Sequence, residues 1–332
     1  MAYNLDAVLA STHAKIEKKF QDNLSTKTPM FLKFTSEGQD LIEGGKELKY
    51  PVILANGNAG SYYGDDQLTV SRPGGLQPLT FDWKQFYSAV TIDGIEEIMN
   101  SGEAEGASLL EGRMSQAELT TAEKFEEMLC GDGSGNVGGD GIARDWNGLQ
   151  NIIPDVNTSG SIGGLSLATY TKLRPQVVST AVPAFNTANA GRSAMLNLWT
   201  ACKHGSRVPN FGVTTDAIWV LYQLSLTANE RYDRLGSDKK MADAGFPNIV
   251  FMGSTTLVSS AFCLANHLYM MRVAKPKTDG GVFLVISKSR KFKMGKFIEP
   301  IDQDKRVAKV LTAGQLGTDA PYLNGVITSI TG

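Results

Sequence analysis

Between two stretches that read as β-strand lies a segment, Gly57 to Pro78, rich in Gly, Asn, Asp and Pro. A hairpin connection usually takes about 2 to 5 residues, so a linker of this length is either functional or disordered. On the entering side Leu48, Tyr50, Val52 and Leu54 alternate with Glu47, Lys49, Pro51 and Ile53. Pro51 cannot donate to a ladder, which predicts an edge strand. On the leaving side Thr80 to Ile92 is rich in β-branched and aromatic residues: Phe81, Trp83, Phe86, Tyr87, Val90 and Ile92. The linker carries Tyr62, Tyr63, Leu68, Val70 and Leu76, apolar area that a protruding ribbon cannot bury on itself. A neighbouring molecule is the natural partner.

The strongest periodic signal is a helix from about Glu103 to Cys130. There Ala107, Leu110, Met114, Ala117, Thr121, Phe125 and Met128 recur at gaps of three and four. Asn100 with Glu103 resembles a capping box, and Gly131 supplies a left-handed stop. Opposite the apolar stripe run Glu105, Glu111, Glu118, Glu123, Glu126 and Glu127, read as a solvated face. A helical turn, Gly94 to Met99, precedes it. Residues Leu5 to Leu24 form an amphipathic arm, with Leu5, Val8, Leu9, Ile16, Phe20 and Leu24 among lysines and a break at Thr12 and His13. After a Gly-rich connector, Gly131 to Gly141, the pattern mixes α and β. Ala194, Met195, Leu198, Trp199 and Cys202 define one helix. Ala217, Ile218, Leu221, Leu224 and Ala228 define another behind the caps Thr214 and Thr215. Strands are expected at Ile249 to Met252, His267 to Val273, Val282 to Ile286, Phe292 to Phe297, Val307 to Leu311 and Val326 to Ile330.

The 332 residues sit near two domains of about 150 residues each. Hydrophobic residues at 42% and charged residues at 20% exclude a disordered chain. Lys plus Arg number 32 against 34 Asp plus Glu, a net charge of −2, so the chain as a whole is not an electrostatic nucleic-acid binder. Cys130, Cys202 and Cys263 have no metal-ligand spacing and read as reduced, partly buried thiols. His13, His204 and His267 fall in no zinc frame. The glycines Gly131, Gly133 and Gly135 follow a helix, whereas a dinucleotide loop precedes one. The same loop mimics a calcium site with Asp132, Ser134 and Asn136 but has Val137 and Ala143 where Gly and Glu are needed. With no GxSxG either, no enzyme is indicated, and no cofactor or metal. The densest basic run is Lys288, Arg290, Lys291, Lys293 and Lys296. It reads as a strand with one wet face, or as a contact for phosphate backbones.

The order of these elements, with specific residues in them, resembles the tailed-phage major capsid protein family. FDWKQFYSAVTIDGIEEIMNSG (Phe81 to Gly102), LLEGRMSQAE (Leu109 to Glu118), GDGSGN (Gly131 to Asn136) and NGLQNII (Asn147 to Ile153) look like stretches of that family. GGLSLATY (Gly163 to Tyr170), VTTDAIWVLYQL (Val213 to Leu224), LYMMRV (Leu268 to Val273), PIDQDKRVAKVLTAGQL (Pro300 to Leu316) and LNGVITSI (Leu323 to Ile330) continue it in order. Lys172, Leu173 and Arg174 depart from the family's aromatic-Trp-Arg near Tyr170.

The resemblance implies an α+β chain with an N-terminal arm (1–43), an extended E-loop (44–83), a discontinuous P-domain carrying a spine helix (84–144 and 285–332) and an A-domain (145–284). It implies self-assembly through pentamers and hexamers into an icosahedral or prolate head around double-stranded DNA. An encapsulin-like compartment holding a protein cargo is the alternative. Leu9, Phe20, Tyr62, Tyr63, Arg72 and Trp83 are then the expected inter-subunit contacts, and the basic run a loose, non-specific DNA contact. Expected partners are sister copies, a separate scaffolding protein (suggested by Met1 only about 40 residues before the E-loop), a portal and decoration proteins, with no membrane. The expected location is the virion, after assembly in the host cytoplasm.

Overall fold

Alternation in sequence becomes alternation in burial wherever a strand has one dry face, and the first ribbon shows it residue by residue. The structure, a computed structural model, describes residues 28–68, 70–71, 74–99, 109–178, 185, 190–225, 248–276 and 280–331. In chain order these form α1 (Pro29–Glu37), β1 (Gln39–Ile42), β2 (Leu48–Ile53), β3 (Leu76–Phe81), β4 (Lys84–Asp93), α2 (Gly94–Met99) and α3 (Leu109–Cys130). There follow α4 (Leu149–Ile152), β5 (Ser161–Ile162), β6 (Leu165–Ser166), β7 (Gln176–Val178), α5 (Ala190–Cys202), β8 (Phe211–Thr214) and α6 (Asp216–Ser225). The chain ends with β9 (Asn248–Phe251), β10 (Thr255–Ser259), β11 (Leu268–Met271), β12 (Val282–Ser287), β13 (Lys293–Met294), β14 (Lys305–Thr318) and β15 (Gly325–Ile327).

One sheet runs β1-β12-β14-β13 with β4 also on β14, and a second runs β7-β15-β11-β8-β10-β9. The hairpins β2-β3 and β5-β6 stand as separate two-stranded ribbons. In the second sheet β15 pairs parallel with β7 and antiparallel with β11. The strand β15, expected with the helical domain, thus lies inside a sheet whose other strands all come from 176–271.

By contacts the chain divides into two compact units. Among the described residues the smaller holds 87–99, 109–121 and 294–311, and the larger holds 28–86, 122–293 and 312–331. The smaller unit has little core: Val90, Ala117 and Ala308 are buried, with Met294 and Phe297 against them. Gly94 donates to the Asp304 carbonyl at 3.1 Å. A Cβ at Gly94 would lie 2.5 Å from the Asp304 carboxylate, so a larger residue there would displace that side chain. Arg113 meets Glu96 at 3.1 Å.

The larger unit is centred on the last turns of α3. Phe125 is completely buried and takes edge-to-face contacts from Trp146 (4.8 Å between ring centres), Phe31 (5.3 Å), Phe292 (5.8 Å) and Phe86 (6.1 Å). Such pairs add about 0.5–1.5 kcal/mol each beyond area burial. The neighbouring Glu126 corrects the sequence reading: expected on a wet face, it is completely buried. Its Oε1 accepts from the Met30 amide at 3.1 Å and the Ser260 hydroxyl at 3.0 Å, and its Oε2 accepts from the Phe31 amide at 2.8 Å. Thr28 makes no side-chain cap bond and Pro29 has no N–H, so a carboxylate 96 residues away caps α1 in place of a local residue. Burial raises its pKa to about 7.

Other expectations shift for identifiable reasons. The run Thr80 to Ile92 is two strands, because the chain changes partner at Asp82 and Trp83, from β2 to β14. The expected strand Phe292 to Phe297 shrinks to Lys293–Met294, since Phe292 is left-handed (φ 44) with its amide on the Thr312 hydroxyl at 2.8 Å. Val307 to Leu311 instead lengthens to Lys305–Thr318. Gly314, which reads as a breaker, permits close approach: a Cβ there would fall 2.0 Å from the Val285 carbonyl oxygen and 2.7 Å from the Trp146 ring. Thr214 lies in β8 and donates its hydroxyl to the His267 carbonyl, so it caps nothing. The buried stripe of α6 is Ile218 and Tyr222, with Ala217 and Leu224 exposed and Ala228 outside the described residues. The cysteines are free, and all three are buried. No described helix is long and apolar enough to cross a membrane. Asn100, Glu103, Glu105 and Ala107 lie outside the described residues.

Phe125→Ala should cost about 3–5 kcal/mol in urea unfolding of the unassembled chain, whereas Leu110→Ala, at an exposed position near the start of the same helix, should stay within about 0.5 kcal/mol. Equal costs would show that the aromatic cluster does not hold the larger unit together.

Candidate assembly surfaces

The ribbon β2-β3 presents one dry and one wet face. Leu48, Tyr50, Val52, Leu79 and Phe81 are buried, packed with Phe283 and Val285 of β12 and with Ile162 and Leu167. The register pairs Ile53 with Leu76 and Pro51 with Pro78 on the opposite face, where Ile53 is 76% and Leu76 72% exposed. That outer face exposes Ile53 and Leu76 beside the two prolines, and no described residue covers them.

Hydrogen bonding decides what kind of contact it can make. The Leu54 amide donates to the Gly75 carbonyl at 2.7 Å, which makes that pair hydrogen-bonded and its neighbours Ile53–Leu76, Pro51–Pro78 and Lys49–Thr80 non-bonded by alternation. Backbone nitrogens at those positions point away from the ribbon. Both prolines therefore stand where an incoming strand would need a donor, and the Thr80 amide is taken by the Gly163 carbonyl at 2.9 Å. The edges resist strand addition. The face remains.

Beyond the ribbon the loop is pinned at its base and open at its tip. Asn58 donates to the Ser71 carbonyl at 2.6 Å, and Lys172 to the Asn56 side chain at 3.1 Å. At the tip the Tyr63 amide donates to Asp66 at 2.8 Å around left-handed Gly64. Tyr63 is 90% and Val70 89% exposed, and Tyr62 and Leu68 are exposed with them. Trp83 sits at the ribbon's root, half-buried against the same core, its Nε1 donating to the Gly45 carbonyl at 3.0 Å. Of the other expected contacts, Leu9, Phe20 and Arg72 lie outside the described residues.

The sequence reading missed a second apolar surface, in the smaller unit. Ile95, Ile98 and Met99 of α2 and Ile298 and Ile301 after β13 are all exposed. The signal was the spacing of 95, 98 and 99 within one helical turn, and Ile301 isolated between Pro300 and Asp302.

All five basic-run residues are exposed. Within the larger unit, Lys288 lies 4.0 Å from Glu43, Arg290 donates to Gln85 at 3.2 Å and Lys291 to Gln39 at 2.9 Å. Only one of these partners is charged, so most of the positive potential is free to meet an anion. Among the described residues no group of three or more His, Cys, Asp or Glu could hold a metal ion. In the Gly-rich loop Asp132 accepts from the Ser134 amide and hydroxyl, which keeps its carboxyl below the usual range and makes it a turn rather than a ligand set.

No family model and no curated protein matches the chain by sequence. Solved structures match it over its whole length. A chain of the cyanophage A-1(L) capsid asymmetric unit gives a TM-score of 0.68 at 17% identity, covering 98% of this chain and 99% of that one. A chain of the capsid of the native GTA particle gives 0.66 at 10% identity, covering 100% and 99%. A chain of the holo-SrpI encapsulin complex from Synechococcus elongatus gives 0.57 at 11% identity, covering 100% and 96%. The fold is the α+β major capsid fold of tailed phages, which the encapsulin shares.

Replacing Lys288, Arg290 and Lys291 by Gln should reduce the log-log salt slope of DNA binding by roughly 2 to 3, at about 0.9 for each phosphate left unneutralised. An unchanged slope, by filter binding across a salt series, would leave these residues as a solvated face.

Proposed function

We propose that this chain is a major capsid protein that assembles through pentamers and hexamers into a closed phage head around double-stranded DNA. The observation that carries the reading is the pinned, outward-facing finger of residues 54–76. A monomer gains nothing by holding Tyr62, Tyr63, Leu68, Val70 and the Ile53–Leu76 pair in water. A lattice of copies gains a heterologous contact at every subunit, and such contacts close into rings when the rotation closes. The exposed residues of α2 and Ile301 supply a second patch of the same kind. Leu9 and Phe20 in the arm, Arg72 in the finger and Trp83 at its root are proposed to complete the contacts.

On this reading the proposed divisions are 1–43, 44–83, 84–144 with 285–332, and 145–284, with β15 of the last segment paired into the sheet of the 145–284 region. The protein would act in the virion after assembly in the host cytoplasm, with a scaffolding protein, a portal and decoration proteins as partners. The basic run would meet packaged DNA loosely, since the net charge of −2 favours no tight binding. A genome rather than a protein cargo is proposed on the basic run, whose exposed lysines and arginine would suit phosphate backbones.

Deleting residues 57–74 leaves both ribbon strands intact. The variant should keep the circular dichroism and melting of the wild type and form no closed particles in electron micrographs, and Ile53→Asp with Leu76→Asp should do the same. Closed shells from either variant would refute the role of the finger. Wild-type particles expressed without other phage proteins but filled with a host protein would favour the compartment reading.

A further inference from the structure

Glu126 joins three parts of the larger unit that are distant in sequence. It sits on α3, its carboxylate takes the two free amides at the start of α1, and Ser260 approaches from the end of β10. Among the described residues the other titratable groups facing it are the thiols of Cys130, on its own helix, and Cys263, both pushed up by burial and neutral in ordinary buffers. Met30 of α1 brings only its thioether, 3.4 Å from the Cys130 sulfur. The nearest charges on α1, Lys33 and Glu37, pair with each other at 2.9 Å one turn further on. Ser260 lies within bonding reach of both the carboxylate and the Cys130 thiol, so its hydroxyl has an alternative acceptor when the carboxyl is protonated.

We infer that Glu126 is a proton-operated latch, which holds α1 against α3 while protonated and loosens it on ionisation. The neutral acid can accept from both amides and donate to the Ser260 oxygen. The ionised form keeps the three donors but carries an unpaired charge in a dry site. The direction follows from the raised pKa. A carboxyl at about 7 in the closed state, against 4.5 when hydrated, favours the closed state fully below pH 4.5. That preference is lost progressively as pH rises to about 7 and stays flat above it. The consequence reaches both ways along the chain, because α1 continues through Gly38 into β1 on the sheet and through Thr28 into the N-terminal segment. This inference stands without the shell reading, since its test uses the unassembled chain.

Amide exchange at Met30 and Phe31, corrected for the intrinsic pH dependence of exchange, should lose protection on the order of a hundredfold between pH 4.5 and 8 in the wild type. In Glu126→Gln the protection should not vary with pH. Parallel profiles in the two proteins overturn the latch. If the variant fails to fold, infrared spectroscopy of the wild type decides. A carboxylic-acid band present at pH 5.5 and gone by pH 8 supports the proposal, and its absence at pH 5.5 refutes it.

Discussion

The last two turns of α3 are dry over a broad arc of about 140° at 100° per residue, and this one condition organises the larger unit. Phe125, Glu126, Leu129 and Cys130 are consecutive or one turn apart, and all are buried. A helix buried on more than one side must find partners on more than one side. The ring of Phe125 finds them in Trp146, Phe31, Phe86 and Phe292, and the carboxylate of Glu126 finds them in backbone amides and a hydroxyl. Neither residue could be satisfied by one neighbouring element. Together they fix α1, the connection after α3 and the end of β10 around a common point.

The ribbon β2-β3 obeys the opposite logic. Its inner residues are committed to the core that Phe283 and Val285 line, and its outer apolar side chains, with those at the loop tip, are exposed. Two prolines opposite each other are a poor choice for a strand meant to extend a sheet and a good one for a strand whose edges must stay unpaired. The apolar finger can then be offered to another molecule through its side chains without inviting indiscriminate strand pairing. The small core of the other unit, beside its own exposed isoleucines, suggests the same division between self-satisfied and partner-satisfied surface.

The likeness to shell proteins at 17% identity and below is intelligible on these terms. What a fold of this kind must keep is the position of dry faces, the glycines that permit close approach and the lengths of connections. Gly314 against Val285 and Gly148 against the Gly131 carbonyl are of that kind, since a Cβ at Gly148 would lie 2.2 Å from that oxygen. Whole-chain geometry agrees with these structures while sequence comparison finds no match.

What the sequence determined by itself was what depends on near neighbours along the chain: the alternation of β2, the long helix ending at Gly131, the exposed aromatic loop and the order of elements that suggested the fold. Period and turn chemistry are local, so they are written in consecutive residues. Only the tertiary structure decided where local rules are overridden by distant groups. Glu126 looked wet because four other glutamates share its helix, and nothing within several residues of it announces Met30, Phe31 or Ser260. Gly314 looked like a stop because the carbonyl and indole that demand it come from 285 and 146. Burial and close approach are properties of the space between segments, and no single segment carries them.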